Sequence, residues 1–286
     1  MNNKEHMNLK GAYLMITFLL TIILSMQAQE KNKTDSLVFL KFNSNTLHEE
    51  RKIVIHLPLN YYIEPSKKYP VMYVLDASKL DFDISDRLFT LSSADISPEC
   101  IVVGILNNKG KRELDFTPPF MQTETNDSLS PMGKADDFFK FMKDELIPSI
   151  DSTYRTSGIQ TISGHSRAGL FVLYTLIQQP DLFDARFCYS TPAWRFDNLI
   201  VQKLEKSFLK HKAAAQSFLY FSVGNKENEN IQASFHHMNA VLEKSKPKSL
   251  VYSSDFVANA DHQSNPIFST GKALAQWSEY LKSAKK

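Results

Sequence analysis

The chain has 286 residues, of which 43% are hydrophobic, 22% charged and 12% aromatic. This composition excludes a low-complexity or wholly disordered chain, because it supplies ample apolar surface for a buried core. Lys plus Arg number 33 and Asp plus Glu number 31, which gives a net charge of +2. That balance argues against a nucleic-acid partner, since proteins that bind the phosphate backbone carry a larger or clustered positive charge.

The N-terminal 28 residues predict a secretory signal peptide. Lys4 and Lys10 precede an uncharged, mostly apolar run over residues 12–24, and polar residues follow it directly. A basic start, a short apolar stretch and a small residue at its exit are typical of such a signal. The run is also shorter than the roughly 20 residues that span a bilayer. We therefore expect cleavage after Ala28, export to the periplasm or the extracellular space, and a mature protein of residues 29–286 without stable membrane insertion. An uncleaved membrane anchor is the alternative.

Beyond the signal, short apolar runs alternate with amphipathic helical patterns. Up to residue 106, these patterns predict four strands, over 37–42, 52–57, 71–75 and 101–106, and a helical or irregular crossover around 82–91. A long polar surface segment over 107–135 follows, which we call the excursion. The remaining patterns predict alternating helices and strands: a helix over 136–150 with Pro148 marking its end, strands over 160–163, 185–189, 218–223 and 250–256, and helices over 170–178, 231–242 and 273–281.

Strands separated by helices predict an α/β fold with a mostly parallel central sheet and helices on both of its faces. No repeat period divides the chain. We therefore expect a single domain over residues 29–286.

The strongest chemical signal is a sharp turn between the strand that begins at 160 and the helix that begins at 170. Residues 164–169 read Gly-His-Ser-Arg-Ala-Gly, in the strand-turn-helix context that a nucleophile elbow requires. Gly164 and Ala168 are small enough to let the neighbouring chain approach, although glycine is the commoner residue at the position of Ala168. The helix N-terminus would aim the Arg167 amide at a developing oxyanion. The pattern predicts Ser166 as a nucleophile; a glycine-rich turn without chemistry is the alternative.

A serine hydroxyl needs a histidine base to remove its proton, and in this architecture the base follows the serine in the chain. Four histidines follow Ser166. His236 and His237 lie within a predicted helical stripe, and His211 lies in a lysine-rich stretch, so we expect these three at the surface. His262 follows the last predicted strand, at the sheet edge where open α/β sheets build their sites. We predict His262 as the general base.

The carboxylate that orients the base should follow the preceding strand, over 218–223. Glu227 and Glu229 both lie in the turn after this strand, and Glu227 is closer to the strand end. We predict Glu227 as the acid, with Glu229 and Asp261 as alternatives. Each of them could equally be a solvated loop charge.

Further motifs occur in order along the chain: Arg51 to Pro58 with Tyr61, Tyr69 to Asp76, Arg112-x-x-Asp115-Phe-Thr-Pro118, Asp144 to Pro148 with Tyr154-Arg155, Pro180 to Phe183, Ser190 to Trp194, and Ser222 to Asn225. Together with the turn at Ser166 and the His262 loop, they resemble the Putative esterase family of α/β-hydrolases. That family includes trilactone-siderophore (enterochelin-type) esterases, S-formylglutathione hydrolases, feruloyl esterases and mycolyltransferases. The resemblance covers about residues 50–282.

The resemblance implies the α/β-hydrolase fold, with Ser166 as nucleophile, His262 as base and Glu227 as acid. It also implies a second oxyanion donor after Asp76, where the family has Leu-Asp-Gly and this chain has Leu-Asp-Ala-Ser. We assign that donor to the Ser78 amide, so the predicted oxyanion hole consists of the Arg167 and Ser78 amides.

The same resemblance suggests substrate contacts. Trp194 and the excursion would shape the pocket, with ordinary packing as the alternative for Trp194. The Arg167 side chain would contact an acidic substrate or, alternatively, pair with a nearby carboxylate.

The family fold bears on the two cysteines as well. Its usual strand order leaves two strands between the strand that starts after Cys100 and the strand that carries Cys188. Neighbouring strands lie about 4.8 Å apart, whereas bridged Cα atoms lie within roughly 7 Å of each other. We expect no disulfide between them.

The sequence thus predicts an exported serine esterase of the siderophore-esterase type, which hydrolyses a small-molecule ester through an acyl-enzyme. It needs neither a metal nor an organic cofactor. A binding module that keeps the fold without turnover, and an acyltransferase that uses the same site, are the alternatives. The oligomeric state and the identity of the ester are left open.

Overall fold

The computed structural model describes residues 36–210 and 215–284. The predicted signal peptide over 1–28 and His211 lie outside the described residues. The signal and the single domain over 29–286 stay predictions.

The described residues form one eight-stranded sheet. Its strands in chain order are β1 Leu37–Ser44, β2 Glu49–His56, β3 Tyr69–Leu75, β4 Ile101–Ile105, β5 Thr156–His165, β6 Ala185–Tyr189, β7 Ser217–Gly224 and β8 Leu250–Val257. Their spatial order is β1-β2-β4-β3-β5-β6-β7-β8. The pairs β1–β2 and β2–β4 are antiparallel, and every pair from β4 to β8 is parallel. The predicted α/β class with a mostly parallel sheet is confirmed.

Helices connect the parallel strands. They are α1 Leu80–Ser93, α2 Arg112–Phe116, α3 Ala135–Lys140, α4 Ile147–Thr153, α5 Arg167–Gln178, α6 Arg195–Lys210, α7 Glu229–Ser245 and α8 Asn265–Ala284, with a π-helical turn over Phe141–Leu146 and a 3-10 turn over Pro180–Leu182. Sequence patterns missed α6 and also α2, which lies within the predicted excursion. In α6, residues Phe196, Asp197 and Asn198 have left-handed φ angles of 50°, 55° and 59°, so regular helix begins only after them.

The helices cover both faces of the sheet, as expected. Successive residues of a strand point to opposite faces, and on β3 the side chains of Val71, Tyr73 and Leu75 pack in one core cluster while Met72 and Val74 pack in another. Side chains from α3, α5, α6 and α7 belong to the first cluster, and side chains from α1 and α8 belong to the second.

Pro148 does not end the helix that begins near residue 136, and this part of the prediction is wrong. The helical segment continues through Pro148 to Thr153, after the π-helical turn over Phe141–Leu146. A proline has no N–H and its ring clashes with the preceding turn of a regular α-helix. Pro148 is the second residue of α4, which follows the π-helical turn, and a proline is tolerated in the first turn of a helix because the N–H there has no partner within the helix.

Both cysteines are free, as expected, and both are buried. Cys100 precedes β4 and Cys188 lies in β6, and the sheet order places β3 and β5 between these two strands. Burial raises the pKa of both thiols. Among the helices that the structure describes, none is long and apolar enough to cross a bilayer.

The sheet topology brings three connections to one edge. Strands β5, β7 and β8 run parallel within one set of neighbours, so their carboxyl ends lie on the same side. The turn after β5 carries Ser166, the turn after β7 carries Glu227, and the loop after β8 carries His262. The three predicted residues therefore meet at this edge although they are far apart in the chain.

Candidate active site

Ser166 occupies a strained turn between β5 and α5. Its φ and ψ angles are 57° and −123°, a region that a residue with a side chain rarely adopts. The turn is held by hydrogen bonds from the Ser166 amide to the Tyr189 carbonyl, 2.8 Å, and from the Gly169 amide to the Ser166 carbonyl, 2.9 Å. Such a turn lifts the serine side chain out of the line of the strand and toward the sheet edge.

The glycines around Ser166 are required by close approach. A Cβ on Gly164 would lie 2.6 Å from the Ala168 carbonyl oxygen, and a Cβ on Gly169 would lie 2.1 Å from the Thr191 hydroxyl. Ala168 itself is fully buried. The small residues of the predicted elbow thus allow α5 to start immediately beneath the serine.

A continuous chain of hydrogen bonds joins the three predicted residues. The Ser166 Oγ lies 2.9 Å from His262 Nε2, and His262 Nδ1 lies 2.8 Å from Glu227 Oε2. An ionised carboxylate only accepts hydrogen bonds, so Nδ1 carries the proton and Nε2 is left to accept from the serine hydroxyl. This tautomer is the one that lets an imidazole act as a base toward serine.

Glu227 is the carboxylate that reaches His262, and neither alternative does. Its side chain is buried, and its Oε1 also accepts hydrogen bonds from the Ser190 hydroxyl and the Gly224 amide, both at 2.7 Å. Burial alone would raise the pKa of Glu227, but the hydrogen bonds from His262, Gly224 and Ser190 outweigh it and hold the pKa below its ordinary value. The group is therefore ionised at neutral pH.

The two alternative acids have other surroundings. Glu229 is exposed at the start of α7. Asp261 is also exposed, and it accepts hydrogen bonds from the amides of Gln263 and Ser264 and from the Ser264 hydroxyl within its own loop. It shapes the loop that carries His262 and does not reach the imidazole.

Behind Glu227 lies a buried polar network that sequence patterns did not reveal. The Asn265 amide donates to the hydroxyls of Ser190, 2.9 Å, and Ser222, 3.1 Å. The Ser222 hydroxyl lies 3.0 Å from that of Ser269, and all of these side chains are buried. Because Asn265 donates to the Ser190 oxygen, the Ser190 hydrogen is left to bind the carboxylate of Glu227. The only sequence signal for Ser190 was its place at the start of the Ser-Thr-Pro-Ala-Trp motif.

The predicted oxyanion donors lie at two turns of the same sheet edge. Arg167 is the first residue of α5, and the first amides of a helix have no partner within it. Ser78 is exposed in the connection after β3, two residues beyond Asp76, whose φ is 56°. The assignment of these two amides to an oxyanion hole stays a prediction.

The Arg167 side chain binds the excursion. Its guanidinium donates to the Thr117 hydroxyl, 3.2 Å, and to the Thr123 carbonyl, and it pairs with the Glu124 carboxylate at 3.1 Å. Arg195, which sequence reasoning missed, donates to the same Thr123 carbonyl at 2.6 Å. The structure thus shows the Arg167 side chain paired with a carboxylate, which was one of its two expected roles. The other, a contact with substrate, stays a prediction.

A second tether joins the excursion to the end of β3. The Arg112 guanidinium donates to both carboxylate oxygens of Asp76, at 2.6 to 3.0 Å, and Asn107 donates to the same group. The excursion is therefore attached at both turns that carry a predicted oxyanion donor.

Trp194 is half-buried and packs against the larger core cluster. This contact agrees with ordinary packing, and a place in a substrate pocket stays a prediction. In the described part of the chain, no group of three or more His, Cys, Asp or Glu side chains is arranged to hold a metal ion.

Comparisons with known proteins agree with this architecture. The family model described as "Putative esterase" matches residues 44–278. The ferri-bacillibactin esterase BesA of Bacillus subtilis is 28% identical over 160 residues, which cover 51% of this chain and 55% of that protein. The match thus spans little more than half the length of this relative.

Two solved structures are similar over most of the chain. A crystal structure of the BES protein from Bacillus cereus matches with a TM-score of 0.77 and 24% sequence identity. The match covers 86% of this chain and 97% of the Bacillus cereus chain. An IroE-like serine hydrolase from Shewanella oneidensis has a TM-score of 0.78 at 26% identity, with coverages of 85% and 80%. With a family model that matches most of its length, the chain belongs to the Putative esterase family of α/β-hydrolases.

Proposed function

We propose that this protein is a serine esterase that hydrolyses carboxylic esters of a small molecule through an acyl-enzyme. One observation carries the proposal: an unbroken hydrogen-bond chain runs from the buried carboxylate of Glu227 through His262 to the hydroxyl of Ser166 on its strained turn. Membership of an esterase family supports the same reaction class.

The geometry supports the following acylation steps. The Ser166 oxygen attacks the ester carbonyl carbon while His262 Nε2 takes the serine proton, and Glu227 remains ionised and stabilises the resulting imidazolium. The negative charge moves to the carbonyl oxygen, where the N-terminus of α5 and the amides of Arg167 and Ser78 would receive it. His262 then returns the proton to the leaving alcohol as the carbon–oxygen bond breaks, which leaves the acyl group on Ser166.

Deacylation repeats the sequence with water. His262 removes a proton from the water as its oxygen attacks the acyl carbonyl, and the proton returns to Ser166 as the acid leaves. Apart from the ester and the water, these steps use side chains and backbone amides of this chain.

For the substrate we propose an ester of the siderophore type, because BesA is described as a ferri-bacillibactin esterase. Trp194 and the excursion would form the walls of the pocket. We further propose that the N-terminal segment directs export to the periplasm or beyond.

Labelling with a fluorophosphonate probe and hydrolysis of a simple aryl ester test the reaction class. Wild-type protein should form a covalent adduct, and Ser166→Ala should lose it together with at least 1000-fold of kcat. Ser157→Ala, an exposed serine near the start of the same strand β5, is the matched control and should keep both. A folded wild-type protein that neither labels nor hydrolyses would favour the binding module.

A second experiment addresses the substrate and the acceptor. A panel of trilactone, feruloyl, acetyl-sugar and short acyl esters should show the highest kcat/KM for the trilactone. Partition of the product between water and added alcohols distinguishes hydrolysis from acyl transfer: a product made mainly with the alcohol at low concentration would contradict the esterase.

A further inference from the structure

His165 is a histidine next to the candidate nucleophile that the proposed reaction does not use. It is the last residue of β5, directly before Ser166, and it is half-buried. Its Nε2 lies 2.7 Å from the backbone carbonyl oxygen of His262, and the two imidazole rings are 4.8 Å apart between centroids. The residue before the nucleophile thus contacts the main chain of the base.

The protonation of His165 follows from this contact. A carbonyl oxygen only accepts hydrogen bonds, so Nε2 must carry a proton. Burial, together with the charge of nearby His262, lowers the pKa of His165 to about 4. The ring is therefore neutral at neutral pH, with its single proton on Nε2 and directed at the His262 carbonyl.

The loop that carries His262 is otherwise fastened mainly to the acid side of the site. The Lys226 amide donates to the Ala260 carbonyl, 2.9 Å, and the Asn259 amide donates to the Asn225 side chain, 2.8 Å. Both contacts join the loop to the turn that carries Glu227. Within the described residues, the hydrogen bonds that join it to the Ser166 turn are the one from His165 and the Ser166–His262 contact itself.

We propose that His165 is a positioning residue, which holds the His262 loop against the Ser166 turn through its Nε2–H. The inference rests on the proposed serine mechanism. It assigns His165 no proton transfer, because its single proton is held by a carbonyl oxygen and its pKa keeps it neutral throughout the working range.

Such a tether matters because the two reacting groups come from different loops. Proton transfer from serine to imidazole requires a hydrogen-bond distance, and small displacements of catalytic groups can cost up to about 100-fold in rate. The contact between Ser166 and His262 is temporarily lost each time the serine is acylated. A second contact between the same two loops would keep the imidazole in place at that stage.

Two variants distinguish the effect of the Nε2–H hydrogen bond of His165 from the effect of its side-chain volume. His165→Leu keeps an apolar body but removes the donor, whereas His165→Gln keeps an N–H near the position of Nε2. We expect kcat for an aryl ester to fall at least tenfold in His165→Leu with KM changed less than about twofold, and His165→Gln to recover most of the loss. The fluorophosphonate labelling rate should fall in parallel.

The control is His56, a buried histidine whose Nε2 lies 3.0 Å from the Asp81 carboxylate. It lies in β2, which β4 and β3 separate from the strand β5 that leads to Ser166. His56→Gln should leave kcat unchanged. Thermal melting of every variant confirms that the compared proteins are folded.

Three results would overturn the inference: a folded His165→Leu with wild-type kcat, a His165→Gln no better than His165→Leu, or a defect that changes in size between pH 6 and 9. The last would mean that His165 carries a proton in the reaction. Failure of the proposed function looks different, because wild-type protein itself would then neither hydrolyse the ester nor react with the probe.

Discussion

Two sides of the candidate site are built in opposite ways. The acid side consists of the Glu227 carboxylate and two neutral donors: the Ser190 hydroxyl, which donates to Glu227, and the Asn265 amide, which donates to Ser190. All three residues are at most 7% exposed. The excursion side consists of Arg167 and Arg195, which donate to the Thr123 carbonyl, with the Glu124 carboxylate 51% exposed.

The difference shows which parts of the site are fixed. A buried hydrogen bond to a charged group contributes about 1.5–3 kcal/mol, whereas an exposed ion pair contributes about 0–1 kcal/mol. The acid side therefore holds Glu227 and His262 at a defined distance. The excursion side combines a buried hydrogen bond from Arg195 to Thr123 with a half-exposed ion pair between Arg167 and Glu124. These side-chain contacts do not involve Glu227 or His262, so changes there should affect the pocket more than the chemistry.

The largest loss of activity should come from replacing the carboxylate of Glu227 on the acid side. Glu227→Gln replaces an acceptor by an amide that can donate to His262 Nδ1, which selects the wrong tautomer of the imidazole. We expect kcat to fall about 1000- to 10,000-fold with KM little changed. Steady-state kinetics on the aryl ester measure this. Glu229→Gln is the control, and a larger loss there than in Glu227→Gln would reverse the assignment of the acid.

A smaller effect should follow from removing one donor to that carboxylate. Ser190→Ala deletes the 2.7 Å hydrogen bond to Glu227, so the pKa of Glu227 should rise and kcat should fall about tenfold. Ionised Glu227 stabilises the fold above its ordinary titration range, and this contribution is lost as the pH falls through its lowered pKa. In Ser190→Ala the folded-state pKa of Glu227 lies closer to its unfolded value, so the loss of stability should be smaller and should end at a higher pH.

Melting temperatures between pH 3 and 7 test the change at Ser190. Ser278→Ala is a suitable control, because Ser278 is also fully buried but donates to the Leu274 carbonyl in α8. Equal pH profiles for the two variants would contradict the role given to Ser190.

Removing a contact on the excursion side should raise the mobility of the excursion more than it lowers the rate of ester hydrolysis. Arg195→Met removes the donors to the carbonyls of Thr123 and Gln122. We expect amide exchange across residues 117–133 to rise about tenfold, since a hydrogen bond from a charged donor contributes about 1.5–3 kcal/mol. Hydrogen-exchange mass spectrometry measures this. Glu124→Gln should change little, and an equal effect of both variants would remove the distinction between buried and exposed tethers.

The smallest effect concerns stability in mild acid. The pKa of His165 in the folded protein is lowered to about 4 from the ordinary histidine value of 6.5, mainly by burial, with His262 lowering it further and the charges of Asp76 and Glu227 raising it. Between these two pH values His165 is therefore protonated in the unfolded chain but not in the folded one. As a result, the free energy of unfolding falls as the pH drops from 6.5 toward 4. His165→Gln lacks this loss. When the pH is lowered from 7 to 5, the melting temperature of wild type should therefore fall by a few degrees more than that of His165→Gln. Parallel curves of melting temperature against pH for the two proteins would contradict the lowered pKa.

Much of the framework could be predicted from the sequence because it depends on neighbouring residues. The turn at Ser166 is encoded by six consecutive residues between a strand and a helix pattern. Glu227 and His262 could be proposed because each follows a strand, and parallel strands bring their carboxyl ends to one edge. Pro148 shows the limit of such local rules, since it lies in the first turn of α4, where a proline is tolerated, and the helical segment continues past it.

The sequence by itself determined the alternation of strands and helices and the order of the candidate catalytic residues along the chain, since periodicity and turn chemistry act over a few residues. Only the tertiary structure brought the carboxylate of Glu227, and not that of Glu229, to His262, joined Arg167 to the excursion, and set Ser190 and Asn265 behind the acid. The reason is physical: these contacts join side chains as far as 75 residues apart, such as Ser190 and Asn265, and depend on how the packed sheet and helices orient each backbone. Local patterns contain no information on those orientations.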